Sequence, residues 1–218
     1  MGRHHSNKSA RTNHHSRQTI HRRRVSARPP SAHKRRGVGL ATGPRFDAPE
    51  IWHEPRGDGK LLCIVQEPSA GYVHPIKEAE TRDRIAQLPS QFREGVEYVQ
   101  FSRMTRKRRL FPCYGLQWGT AVYLYPIESN LEELYCCAPS PQQKIETERF
   151  GGRWIQDGSH WWLIWTERTI HDFYLNNVLI HEIGHINDHR NTNFADRERY
   201  ADWFAVEYGY RVSRRRRC

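Results

Sequence analysis

His181 and His185 stand four residues apart in His181-Glu182-Ile183-Gly184-His185. On an α-helix that spacing puts both imidazoles on one face, one turn above the other, so that they can aim at a single point. Glu182, about 100° further round such a helix than His181, can reach a water at that point without ligating a metal itself. The chemistry served by this division of labour is metal-assisted hydrolysis: imidazoles hold zinc, the ion acidifies a water, and a carboxylate takes the proton during attack. With 13 His in 218 residues, a His-Glu-x-x-His string arises by chance in about one such chain in twenty. A surface helix with incidental histidines is therefore the alternative, and a third ligand must be found.

A catalytic zinc site uses three protein ligands and leaves a position for water, whereas a structural site uses four. Glu198-Arg199-Tyr200-Ala201-Asp202 puts two carboxylates four apart on one face of a second helix, with Ala201 and Ala205 beside them. Small side chains there allow two helices to approach, so Glu198 reads as the third ligand. Asp202, one turn on, reads as the acceptor behind the far nitrogen of His181 or His185, fixing its tautomer. The plainer reading makes both solvated surface charges. His189, a further turn along, is too far up one straight helix to close a tetrahedral site with the other two histidines. His189, Tyr200 and Tyr208 stay open as groups that stabilise charge in a transition state.

The elements that must position these groups read as sheet first and helices last. Residues 61–65 read as a buried strand, 76–88 as a short amphipathic helix stopped by Pro89, and 96–101 as an alternating strand. Residues 121–125, β-branched and aromatic and closed by Pro126, form the strongest strand pattern. Residues 153–156 and 161–165 flank Asp157-Gly158 as a hairpin, its tryptophans Trp154, Trp161, Trp162 and Trp165 reading as core rather than as a substrate wall. The motif helix is expected to start at Thr169 as N-cap, with Asp172 three positions on, and to bury Leu175, Val178, Leu179, Ile183 and Ile186. The second helix is expected over 195–208, with Gly209 just past its end. The fold class implied is α+β: a mixed or antiparallel sheet followed by an active-site helix and a third-ligand helix.

Charge divides the chain. Residues 1–46 hold 12 of the 35 Lys/Arg and no Asp or Glu, and 211–218 hold 5 more, which leaves 18 basic against 24 acidic residues in 47–210. Residues 1–45 are too poor in apolar side chains to offset ordering entropy and read as a disordered basic arm, 46–210 as the folded domain, and 211–218 as a basic tail. Such termini are attracted to phosphate backbones without reading sequence, so nucleic acid is a candidate partner. No apolar leader and no run of about 18 apolar residues is present, so neither secretion nor a membrane span is expected. Five cysteines without a CxxC pair speak against a disulfide framework and for a reducing compartment, the cytoplasm, with Cys136 and Cys137 as buried thiols. Arg56-Gly57-Asp58 reads as a turn and Arg106-Lys107-Arg108-Arg109 as a solvated loop.

Residues 178–185 (Val-Leu-Ile-His-Glu-Ile-Gly-His) resemble the active-site helix of the gluzincin group of zincin metallopeptidases, and Glu198-x-x-x-Asp202 resembles that group's Glu-x-x-x-Asp helix. The run from Glu198 to Ala205 is most similar to the Glu-x-x-Ala-Asp-x-Phe-Ala pattern of small intracellular zincins of the ImmA/IrrE type. The resemblance covers roughly residues 95–209. It implies a zincin-like fold, a zinc ion on His181, His185 and Glu198, Asp202 behind a ligating histidine, Glu182 as general base, and hydrolysis of a peptide or protein substrate. It also implies a sheet edge strand beside the cleft, for which 121–125 is the best match. The chain departs from the pattern at Asn187, where a hydrophobic residue is usual, and in the twelve residues between His185 and Glu198, which demand a tight connection. A zincin-like scaffold that binds nucleic acid through its basic ends, without hydrolysis, is the second reading; an intact Glu182 argues against it.

Overall fold

A computed structural model describes residues 48–215; the expected basic arm and the last three residues lie outside them. The elements in order are β1 (Leu62–Val65), β2 (Tyr72–Val73), α1 (Glu78–Ala86), α2 (Ser90–Arg93), β3 (Tyr98–Phe101), α3 (Arg106–Leu110), β4 (Gly115–Trp118), β5 (Ala121–Leu124), β6 (Ile127–Glu128), β7 (Glu132–Tyr135), α4 (Pro141–Arg149), β8 (Arg153–Asp157), β9 (His160–Ile164), α5 (Glu167–Phe173), α6 (Leu179–Ile186), α7 (Phe194–Phe204) and α8 (Arg211–Arg215). This is an α+β chain. None of its described helices is long and apolar enough to cross a membrane.

The main sheet runs β1-β3-β5-β4, with β1, β3 and β5 parallel and β4 antiparallel to β5. Alternation splits its side chains between two faces. Val99, Phe101, Val122 and Leu124 join the core formed with Ile170, Leu179, Ile180, Ile183 and Phe204. Tyr98, Ala121, Tyr123 and Tyr125 form a second cluster on the opposite face. Part of the segment before β1 covers that face: the His53 ring stacks on Tyr98 at 4.7 Å and its Nε2 lies 2.7 Å from Gln100 Oε1. This second cover explains why β5 reads as so strong a strand, since both faces are buried. It also corrects one expectation: β5 is an interior strand, and the edge strand is β4. The strand at 61–65 is the opposite edge and half-exposed rather than buried, with Val65 58% exposed.

Two further corrections concern charge and thiols. Residues 106–109 are not a solvated loop but the start of α3, capped by the Thr105 hydroxyl, and Arg108 is buried. Its guanidinium pairs with Glu50 at 3.3 Å and lies over the Tyr125 ring at 4.3 Å, so it fastens the covering segment to the sheet. Cys136 and Cys137 are exposed, not buried.

A smaller antiparallel sheet, β7-β9-β8, contains the expected hairpin, with Gly158 at φ +58° in its turn. Trp165 is core, as read. Its indole donates to Glu133, which also accepts from the Tyr114 and Tyr135 hydroxyls. Burial pushes this carboxyl up to about 7 against those donors. The helix α4, between β7 and β8, has no apolar periodicity to announce it; Ser140 caps it and Pro141 occupies its first turn.

The motif helix begins one turn earlier than expected. Thr166 is the N-cap and Thr169 its reciprocal partner three positions on, while Asp172 is buried and accepts from Asn176. A π-helical turn over Tyr174–Val178 joins α5 to α6, and a second over Ala205–Tyr210 joins α7 to α8. Gly209 does not end its helix. An added Cβ would sit 1.9 Å from the Asn176 carbonyl oxygen, so glycine is there to let the two π turns touch. Gly209→Ala is expected to cost about 3 kcal/mol in chemical denaturation, because the obstacle is backbone and cannot rotate away. Within the basic tail, residues 211–215 are helical, and Arg214 pairs with Asp172 at 3.0 Å while lying over Tyr210.

Candidate metal centre

Helix α6 presents its apolar stripe, Leu179, Ile180 and Ile183, to the core and turns His181 and His185 toward α7. The two helices cross where both are small: a Cβ added to Gly184 would lie 3.0 Å from the Ala201 Cα. The seven residues between them include Asn187, which caps α6. Its side-chain amide donates to the Ile183 and Phe92 carbonyls at 2.9 Å, which accounts for Asn at a usually hydrophobic position. Asn193 caps α7 by accepting from the Asp196 backbone N–H.

Close crossing brings Glu198 over the histidines. His181 Nε2 and His185 Nε2 are 3.1 Å apart, Glu198 Oε1 is 3.4 Å from His185 Nε2, and Glu198 Oε2 is 3.7 Å from His181 Nε2. Ligands about 2.0–2.1 Å from a tetrahedral zinc ion are about 3.3 Å from one another. The three donors fit that ion in type and spacing, and they form the one such cluster among the described residues. Asp202 Oδ1 lies 3.1 Å from His181 Nδ1, at ion-pair distance, and Gln142 of α4 donates to its other oxygen at 2.6 Å. Thus Asp202 backs His181 rather than His185.

Electrostatics tie the group together. Burial opposes a charge on His181, but the carboxylates of Asp202 and Glu198 outweigh it and hold this imidazole well above its ordinary range. Burial likewise opposes charge on Glu198, yet hydrogen bonds from both histidines bring its carboxyl down to about 2. Glu182 is raised, burial outweighing the attraction of His181 and His185, and it accepts from the Gln117 backbone N–H. Asp202→Asn is expected to lower zinc affinity by about 10–100-fold in a chelator competition, since outer partners of this kind orient the ring and raise its basicity.

Strand β4 forms the wall beside Glu182. Gly115 has to be glycine, because an added Cβ would lie 2.7 Å from Glu182 Oε1 and 2.9 Å from Val178. Arg197 of α7 donates to the Gln117 side chain at 3.3 Å and to the His185 carbonyl at 3.4 Å, holding β4 against the helices. Gly115, Gln117, Gln142 and Arg197 carried no signal in the sequence, being single residues whose roles depend on strand order. The histidine beyond the motif is exposed and past the end of α6, which stops at Ile186, so the same-face placement of His189 does not hold. Tyr200 and Tyr208 pack around Phe204. No protein-family model, curated protein or solved structure matches the chain, so the site stands on its own geometry.

Proposed function

We propose that the protein is a zinc-dependent metallopeptidase with a zincin-like fold. His181, His185 and Glu198 are its zinc ligands, Asp202 supports His181, and Glu182 is the general base. The observation that carries this reading is the convergence of two imidazole nitrogens and one carboxylate at tetrahedral spacing, with a second, separate carboxylate, Glu182, alongside. When bound there, zinc supplies an acidified water and polarises a carbonyl oxygen. Glu182 is placed to take a proton on a carboxylate oxygen, and its burial makes it a stronger base than an exposed glutamate.

A polypeptide substrate suits the edge strand β4, beside which an extended chain would add as a further strand next to Glu182. Exposed thiols at Cys136 and Cys137 suit a reducing compartment such as the cytoplasm. The scaffold reading, with nucleic acid on the basic ends, has no described feature behind it: Arg211 and Arg214 are engaged with Glu207 and Asp172. Incubation with a mixed peptide library tests the proposal. Cleavage should disappear on metal removal and return with about one equivalent of zinc; cleavage indifferent to chelation would overturn it.

A further inference from the structure

The segment before β1 that covers the outer face of the main sheet carries one large side chain that this cover does not bury. Glu50 anchors the segment on one side of it, accepting from the Thr105 and Tyr125 hydroxyls at 2.9 and 3.0 Å. His53 anchors it on the other by its stack on Tyr98. Between the two, Trp52 is 66% exposed, more than any other large apolar side chain of the described residues. Its ring meets that of Trp118, the last residue of β4, at 5.9 Å and 72°. Two indoles at that angle make an apolar corner, and the anchors at Glu50 and His53 hold it in place.

The pleat of β4 ties this corner to the metal centre. Gly115 faces Glu182, and Gln117 on the same face of the strand meets Arg197 of α7. The alternate residues Leu116 and Trp118 therefore face the other way, where they pack against the second cluster. A strand added beside β4 keeps the same pleat. Its side chains fall by turns beside Gly115 and Gln117, toward the metal, and beside Leu116 and Trp118, toward the covering segment. The one beside Trp118 comes against both indoles. Such a corner offers contact area and ring faces rather than hydrogen bonds, and a tryptophan already held in place loses little freedom on contact. We propose that Trp52 and Trp118 form a subsite that selects one large apolar or aromatic side chain of an extended polypeptide substrate, with Trp52 as its specificity-determining residue. The proposal rests on the metallopeptidase reading of the adjacent centre, though its preference can be measured by binding alone.

Dye-labelled octapeptides that differ only in Phe, Leu, Ala, Arg or Glu at one position, each position taken in turn, give that measurement. Binding to the metal-free full chain is read by fluorescence anisotropy, and cleavage by the zinc-loaded chain as kcat/KM. At one position Phe and Leu should exceed Ala at least tenfold in both readings. Trp52→Ala should cut that ratio at least fivefold, and Trp52→Phe should keep most of it. Because Trp52 is mostly exposed, its replacement takes little packing from the fold. Absence of any Phe or Leu preference in the wild type overturns the subsite whatever the variants do. So does a wild type whose every such preference survives in a folded Trp52→Ala, or Arg favoured as much as Phe at the position that Trp52 governs. Cleavage alongside any of those results leaves the peptidase standing. A preference carried by Trp52 in binding, with no peptide cut, supports the subsite and overturns the peptidase.

Discussion

Glu198→Ala is expected to weaken zinc binding by more than about 100-fold, measured by competition with a chromophoric chelator. The variant leaves two imidazoles and removes the one anionic ligand, and a two-point clamp on a single helix cannot enclose a tetrahedral ion. The same change has a signature without metal. Glu198 is depressed to about 2 from an ordinary 4.5, so its contribution is complete above pH 4.5 and is lost as pH falls toward 2. That contribution is about 3 kcal/mol. His181 is raised above 6.5, so its contribution is complete below pH 6.5 and is lost as pH rises through its higher folded value. The stability gap between metal-free wild type and Glu198→Ala should therefore be widest between pH 4.5 and 6.5 and narrow toward pH 2, by thermal unfolding. A gap that widens steadily into acid would show that the three groups do not form one network. Because zinc must displace the proton on His181, zinc affinity should also rise with pH across the neutral range.

Glu182→Gln should keep its zinc and lose hydrolysis by about 10²–10⁴-fold in kcat. Glutamine is nearly isosteric, so the acceptor for Gln117 N–H survives and the fit against Gly115 is unchanged. Basicity alone is removed. The wild-type activity should fall on acidification at a pH above the usual glutamate range, because burial raises this carboxyl. Loss of zinc along with activity would mean that Glu182 supports the metal rather than the proton transfer.

The candidate centre was legible in the sequence where its geometry is local. Histidines four apart and carboxylates four apart each define a face, and Ala201 marks where the faces meet. Topology was not local. The β-branched and aromatic run of β5 reports burial on two faces, and that is the property of an interior strand; a strand that borders a cleft, such as Gly115-Leu116-Gln117-Trp118, is mixed in composition. The same confusion of cause attends Gly209, read as a helix end because glycine favours such positions, yet required for contact with Asn176 across the fold. Arg108 looked solvated because arginine nearly always is; the aromatic ring and the carboxylate that bury it come from residues far away in the chain. Helix α4 escaped notice because its one large apolar residue, Ile145, is exposed, so no periodic stripe exists to be read.

The central claim is that these three side chains hold one zinc ion, and X-ray absorption of the full chain loaded with one equivalent of zinc tests it most directly. Six further histidines lie in residues 1–46 and five cysteines are present in the chain, so the ligand count discriminates. Two imidazoles and only oxygen besides, at about 2.0–2.2 Å in four-coordinate geometry, is the predicted result. Sulfur at about 2.3 Å, or three or more imidazoles, would place the ion elsewhere and contradict the account.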